Sequence, residues 1–321
     1  MKKNKKRNFI VLGIVIVLVA CIAIMLFQVK GEKKEVVETD QNSYRYIKVD
    51  GKDYRYRTNL KTILFLGIDT TDETKNQGQS DAIDLAIFDC DQQKIKIVSL
   101  SRDTMCKIRL FDSEGNDLGW DKQHLGLAYS YGKNRKHGGI LAKDAVSKLL
   151  SDIPLVNYTA FDLNSLQELQ DIIGDMPMVL DDDYIDINPL WKKGKKIVIN
   201  RDNVEEFVRS RNTSKDYSNK TRMQRQKLYI QTYINQLKTQ LTNDYSTTLQ
   251  KMYNFYSKLT TNITLKEIDS YAEMILNYSI DNNEYYTLPG EDQKGELHDE
   301  FIVDQKQLKQ LVLQLFYEKD K

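Results

Sequence analysis

The chain has 321 residues, 40% of them hydrophobic and only four of them proline, so it can bury a sizeable core and is neither low-complexity nor disordered. Its formal net charge is +1, but Lys2, Lys3, Lys5, Lys6 and Arg7 cluster with no acid among them, and without those five, 42 basic residues face 46 acidic ones. The body is therefore mildly acidic, which excludes a general attraction for nucleic acid and makes any basic patch within it local.

Residues 1–8 hold the basic cluster, and residues 9–28 follow with the uncharged run FIVLGIVIVLVACIAIMLF, Phe9–Phe27. At ~1.5 Å per residue a helix of that length crosses a bilayer. A buried core helix is the plain alternative, but this run is apolar on every side. The positive-inside rule places residues 1–8 in the cytoplasm and everything after Lys30 outside, as a single-pass signal anchor. No small-x-small site follows that would mark a cleaved signal peptide. LVAC, Leu18–Cys21, matches a lipoprotein processing site, whereas the apolar continuation IAIMLF argues against lipidation of Cys21. Residues 29–60 are polar and charged and read as an extracytoplasmic stalk with one short strand pair around Asp50–Gly51.

From residue 61 the patterns alternate. TILFLGID (Thr62–Asp69) is a buried strand, and AIDLAIFDCDQQKIKIVSL reads as two strands joined by a turn at Asp91–Gln93. Apolar residues at 141, 145, 146, 149 and 150 give a helical stripe over Gly138–Asp152. VNYTAFDL is a strand; NSLQELQDIIGD is a helix capped by Asn164 and closed near Gly174; MPMVLDDDY returns as a strand. NRDNVEEFV is a short helix. TRMQRQKLYIQTYINQLKTQL is a long one with Ile230, Ile234, Leu237 and Leu241 on its buried face. A helix, the strand YYTLPGE and a last helix complete residues 61–318. The expected class is α/β, an α/β/α sandwich with a mixed central sheet. Cys90 and Cys106 stand at separate ends of the hairpin and read as isolated structural thiols, with no CxxC or Cys/His spacing for zinc.

Two clusters carry chemistry. VRSRNTSKDYSNKTRMQRQ, Val208–Gln226, places Arg209 and Arg211 two apart and Arg222, Arg225 and Gln226 at i, i+3 and i+4 of a helix start. A solvated basic face is the bland reading. Against it, guanidiniums at the positive end of a helix dipole are unfavourable without an anion, and their planar forks match phosphate oxygens. The second cluster lies at strand ends: Asp69, then Asp81 and Asp84, then Arg102 and Asp103 of SLSRDT. Acids there are often turn formers. Next to an arginine-bound pyrophosphate, carboxylates at strand ends suit magnesium, which takes one or two of them together with phosphate oxygens. His124, His137 and His298 lie in polar sequence, and no Ser-His-Asp set is apparent.

The blocks ILFLGIDTTDE, GQSDAIDLAIFD, KIKIVSLSRDT, AYSYG, FVRSRNTSKDYSNKTRMQRQ and TLPGE resemble the LytR–CpsA–Psr family over about Lys61–Tyr317. The resemblance implies a membrane-anchored extracytoplasmic transferase of a Gram-positive type of cell envelope. It would move an anionic glycopolymer, teichoic acid or capsule-like, from a polyprenyl pyrophosphate carrier to peptidoglycan. Magnesium or manganese would be held at Asp69 and Asp81, the pyrophosphate at Arg102, Arg209, Arg211, Arg222, Arg225 and Gln226, and the lipid tail in an apolar cavity beside the sheet. Arg102 would also serve catalysis, and Asp103 is the candidate base unless it buttresses Arg102. The chain departs from the family pattern at Gln79 (usually Arg), Ser101 (Pro), Gly126 (Asn) and Asn219 (Asp). A lipid-linked glycan binding protein without turnover, a pyrophosphatase, and a regulator of envelope expression (as an older transcriptional attenuator label has it) are the alternatives; the acidic body and the lack of a helix-turn-helix count against DNA binding.

Overall fold

The computed structural model describes residues 44–49, 51–69, 78–112, 114–162, 165–212, 220–296 and 298–320. The apolar run of residues 9–28, the cap Asn164 and Asn219 lie outside the described residues, among which no helix is long and apolar enough to cross a membrane. Residues 43–321 make one compact unit.

Its centre is a six-stranded mixed sheet. In spatial order it holds β11 (Thr260–Thr261), β8 (Asn157–Asp162), β3 (Leu60–Ile68), β4 (Ser80–Asp89), β5 (Lys94–Leu100) and β12 (Tyr285–Thr287). β3 and β8 are parallel, as are β5 and β12; β4 runs against both β3 and β5, and β11 runs against β8. The expected hairpin of β4 and β5 is present, and Gln93 takes a left-handed φ of 52° in its turn.

Side-chain alternation gives the sheet two apolar faces. Leu64, Leu66, Ile83, Leu85 and Ile87 face one core, where α1 (Arg135–Leu149) adds Ala142, Ala145 and Val146 and the last helix, α7 (Gln305–Phe316), adds Leu308, Val312 and Leu315. Gly139 lets α1 cross β8 closely, since a Cβ there would stand 2.0 Å from the Tyr158 ring. Ile63, Ala86, Phe88, Ile95 and Ile97 face the other side. There they meet Ile230 and Ile234 of α4 (Lys220–Asn243) and Tyr271 and Ile275 of α6 (Leu265–Asn277). Helices therefore cover both faces of a mixed sheet, as the sequence predicts. α2 (Ser165–Ile173) ends at Gly174, whose φ of 71° and N–H bond to Gln170 O close the helix. α3 (Val204–Arg209) is short, and α5 (Tyr245–Tyr256) continues almost directly from α4.

Three features differ from expectation. β1 (Tyr46–Val49) and β2 (Lys52–Tyr56) form the strand pair expected there, but rather than standing in a stalk they pair with β15 (Tyr317–Lys319), and Ile47, Tyr54 and Tyr56 pack on the main core. The strand β9 (Met176–Val179) pairs with β10 (Lys196–Ile199) as a separate ribbon outside the central sheet. A hairpin of β6 (Met105–Phe111) and β7 (Asp117–His124) was not anticipated, because the polar sequence of β7 lacks an alternating pattern; β13 (Gly290–Lys294) and β14 (Asp299–Val303) form another.

At the end of the sheet where β4 finishes, Asp89 is fully buried and accepts two hydrogen bonds from Arg57 (2.7 and 2.5 Å) and one from Lys96 (3.0 Å). Burial opposes its ionisation, but the hydrogen bonds from Arg57 and Lys96 outweigh that and lower its pKa from 3.8 to about 2. Asp89→Asn strands two buried cations and is expected to cost about 3–5 kcal/mol, read by chemical denaturation. The sign for pH follows from the lowered pKa. The contribution is complete above the unfolded value of 3.8 and is lost as pH falls toward about 2, so acid unfolding should begin at higher pH in the variant.

Candidate active site

The strand directions gather the functional residues. β3, β5, β8 and β12 all finish at one end of the sheet and β4 begins there, so Asp69, Asp81 and Arg102 meet although they are 12 and 21 residues apart. Asp69 is exposed just past β3, with its carboxylate accepting from Gln79 N (2.8 Å) and its own N–H bound to Gln79 O (3.0 Å). Asp81 takes a short hydrogen bond from Arg102 Nη1 and a longer one, 3.4 Å, from Arg222 Nη1. Arg222, at the start of α4, also reaches Asp81 O at 3.5 Å, so this one residue ties the helix to the sheet.

Electrostatics extend the cluster. Burial works against the Arg102 charge, but Asp81, then Asp103 and Asp69, raise its pKa. Arg222 goes the other way: burial lowers it, and Arg102 and Arg211 lower it further against the pull of Asp81 and Asp103. Arg102, Arg211 and Arg222 thus share one field with Asp69, Asp81 and Asp103. An anion that took the place of these carboxylates would likewise offset the mutual repulsion of the guanidiniums.

Asp103 Oδ1 lies 3.4 Å from Arg102 Nε, while Asp103 O accepts from Phe301 N (2.8 Å), so this residue buttresses Arg102 from a fixed backbone. Ser101 is buried, and its hydroxyl accepts from Asp103 N at 3.2 Å. Gly126 explains itself by contact: a Cβ there would stand 3.1 Å from both Arg102 Cβ and Ser80 O, and its N–H bonds Arg102 O. Arg209 is exposed and pairs with Glu205 one turn back in α3, a partner that sequence reasoning missed.

Arg225 requires a correction. It is completely buried rather than displayed beside Arg222. Its Nε donates to Phe207 O (2.8 Å), its Nη2 to Ser210 O, and its guanidinium lies 5.5 Å from the Tyr184 ring centroid. Gln226 Nε2 likewise donates to Val208 O at 3.0 Å. These two residues clamp the chain segment that carries Arg209 and Arg211 onto α4, so Arg225 is a strut and not a ligand residue. One turn of difference on a helix decided it, and the sequence carried no signal for which arginine faces inward.

Asp84 also leaves the acidic cluster. It is the fifth residue of β4, three beyond Asp81, and lines an apolar cavity of about 290 Å³ between the second sheet face and α4, α5 and α6. Phe65, Phe161, Ile234, Met252 and Phe255 are among its walls. Ser99 Oγ donates to Asp84 Oδ1, and Tyr285 Oη lies 3.4 Å from the same oxygen. Both Cys90 and Cys106 are free thiols, and burial raises that of Cys106 to about 12.

A profile of the LytR_cpsA_psr family matches residues 23–316. An uncharacterised protein of Staphylococcus aureus is 27% identical over 201 residues, 58% of this chain but only 45% of that protein. TagV of B. subtilis superposes with a TM-score of 0.62 at 20% identity, covering 81% of this chain and 96% of TagV. TagT bound to LIIa-WTA superposes with a TM-score of 0.62 at 22% identity, covering 80% of this chain and 90% of TagT. At such identities the structures report a shared fold.

The role of Arg225 is testable without any ligand. Arg225→Ala removes charge-assisted bonds to two backbone carbonyls and is expected to lower stability by about 3–5 kcal/mol in thermal or urea unfolding. Exposed Arg209→Ala should stay within about 0.5 kcal/mol of the parent.

Proposed function

Because the chain belongs to the LytR–CpsA–Psr family, we propose that it is a membrane-anchored transferase of an anionic cell-wall glycopolymer, taking it from a polyprenyl pyrophosphate carrier to peptidoglycan. The observation that carries this reading is the meeting of Arg102, Arg211 and Arg222 with Asp69 and Asp81 at the end of a sheet whose adjoining face floors an apolar cavity. A guanidinium cluster suits the pyrophosphate, and the cavity suits the hydrocarbon of the same ligand. TagT, of the same fold, is known in complex with LIIa-WTA, which supports a teichoic acid-like donor. Residues 9–28 would anchor the chain, with the folded unit outside the cytoplasm.

The donor set fits magnesium or manganese. Asp69 and Asp81 bring two carboxylates to neighbouring strand ends, and among the described residues no cluster of three or more His, Cys, Asp or Glu forms a protein-only cage. That suits a hard cation that keeps places for phosphate oxygens. When bound, the ion would neutralise phosphate charge as it develops. The chain's own residues do the rest. Phosphate oxygens draw Arg102 and Arg222 from Asp81, which frees that carboxylate. Arg209 exchanges Glu205 for the anion, and Arg211 approaches from the same segment. A sugar hydroxyl of the acceptor attacks the phosphorus next to the glycan; the new O–P bond forms as the bond to the bridging oxygen breaks, the hydroxyl proton passes to the departing phosphate oxygen, and polyprenyl phosphate leaves. The guanidiniums stabilise the charge on that leaving group, and Asp103 holds Arg102 in position.

Purified full-length protein, given a lipid-linked glycan of known structure and peptidoglycan, should transfer the glycan in a magnesium-dependent way. Asp69→Asn and Asp81→Asn should raise the half-saturating magnesium concentration at least tenfold or abolish transfer, with melting temperatures nearly unchanged for exposed Asp69. Arg211→Lys keeps the charge but loses the fork and should weaken donor binding by about 1–3 kcal/mol. Hydrolysis of the pyrophosphate without transfer would instead identify a pyrophosphatase, and tight binding with no turnover a carrier protein.

A further inference from the structure

Of all the side chains lining the apolar cavity, Asp84 alone is a carboxylate. It stands opposite Phe65 of β3 and Ser99 of β5 in the ladder and alternates with Ala82 and Ala86 on the cavity face of β4. Its two oxygens are in different situations. Oδ1 is held by Ser99 Oγ and Tyr285 Oη, which also contact each other at 2.6 Å. No hydrogen bond among the described residues reaches Oδ2. Asp84 is half-buried, and the space beside it is the cavity.

Among the described residues, no cation forms an ion pair with Asp84. β3 and β8 contribute Phe65 and Thr159 to the floor, and β5 and β12 contribute the hydroxyls of Ser99 and Tyr285. Tyr233 of α4 and Tyr271 of α6 line the cavity as phenols that burial holds neutral, as it does Tyr285. Lys227 of α4 places its ammonium 5.0 Å from the centroid of the Tyr285 ring. Burial raises the Asp84 pKa from 3.8 to about 6, although the bonds from Ser99 and Tyr285 pull it down.

We propose that a hydrocarbon chain enters this cavity together with one proton taken up by Asp84, so that lipid is held in mildly acidic medium and released as the pH rises. The proton ends on the carboxyl, and no covalent bond to the lipid forms. The physical reason is water. In the empty cavity, water can solvate Oδ2; a hydrocarbon chain displaces it, and an unpaired carboxylate in an apolar medium neutralises rather than remain charged. Linkage then requires affinity to fall by up to tenfold per pH unit above the pKa of the lipid-free protein. The inference rests on the cavity being the lipid site and is independent of the transfer chemistry.

The test uses the full-length chain in nanodiscs of zwitterionic lipid and radiolabelled geranylgeraniol, an uncharged isoprenoid alcohol, with empty discs as blank. Between pH 5 and pH 8.5 the affinity of the parent protein should fall up to tenfold per unit above about pH 6, and a pH indicator should register an uptake that rises from near zero at pH 5 toward one proton per bound chain above pH 7. Asp84→Asn should bind with a flat profile. Ser99→Ala removes a bond that favours the ionised form and should move the fall to higher pH, which keeps the test decisive should Asp84→Asn fold poorly. A flat profile in the parent, or an unchanged slope in Asp84→Asn, overturns the proton link and leaves the lipid site standing. No binding at any pH overturns the reading of the cavity on which it rests.

Discussion

The ion pair of Asp81 with Arg102 and Arg222 is the joint on which the rest of this structure depends. Asp81 opens β4, Arg102 follows β5, and Arg222 stands in the first turn of α4, so one carboxylate ties two strand ends to the longest helix. Arg222 is only 6% exposed, which gives its contact more weight than a surface pair has. Through it α4 is fixed over the second sheet face, and the space left beneath α4, α5 and α6 becomes the apolar cavity. Guanidiniums that would repel one another are held together by three aspartates, a balance that an anionic ligand and a cation can take over in exchange.

Support and recognition are divided between neighbours in sequence. Arg222 and Arg225 are one turn apart, yet one meets the carboxylate cluster and the other is sealed among Phe207, Ser210 and Tyr184. Burying a guanidinium costs several kcal/mol unless its donors are satisfied, and two backbone carbonyls at the exit of α3 help to do that. The return is stiffness. The segment with Arg209 and Arg211 is anchored by Arg225 and Gln226 just where it leaves α3, so its two outward guanidiniums start from a set position.

The departures from the family pattern also find places. Gln79 holds Asp69 through its backbone, by the N–H and the carbonyl, so its side-chain identity is not what shapes that turn. Gly126 lets a 3₁₀ turn press on Arg102 and Ser80 where a side chain would have to push one of them aside. Ser101 uses its hydroxyl to accept from Asp103 N, a bond proline could not provide. Gly126 and Ser101 sit around Arg102 and Gln79 around Asp69, so this chain supports the same charged pair with a different set of neighbours.

The sequence by itself determined the α/β class, the β4–β5 hairpin, most helices and the two charged clusters, because these follow from local periodicity, glycine and capping residues, and residue type. It also named Asp69, Asp81, Arg102, Arg211 and Arg222, which strand direction then brought into one field. Whereas the pairing of Arg209 with Glu205 is a local i, i+4 contact within α3, only the tertiary structure decided that Arg225 turns inward and that Asp103 leans on Arg102. The same holds for Asp84: three residues along a strand reverse the face, so a carboxylate that reads as the third of an acidic cluster stands in the wall of an apolar cavity. The docking of the β1–β2 hairpin on β15 and the polar β7 were hidden for a related reason. Their stability comes from β15 and β6, partners distant or weakly patterned in sequence, and no short window records a contact across 263 residues such as Arg55 with Glu318.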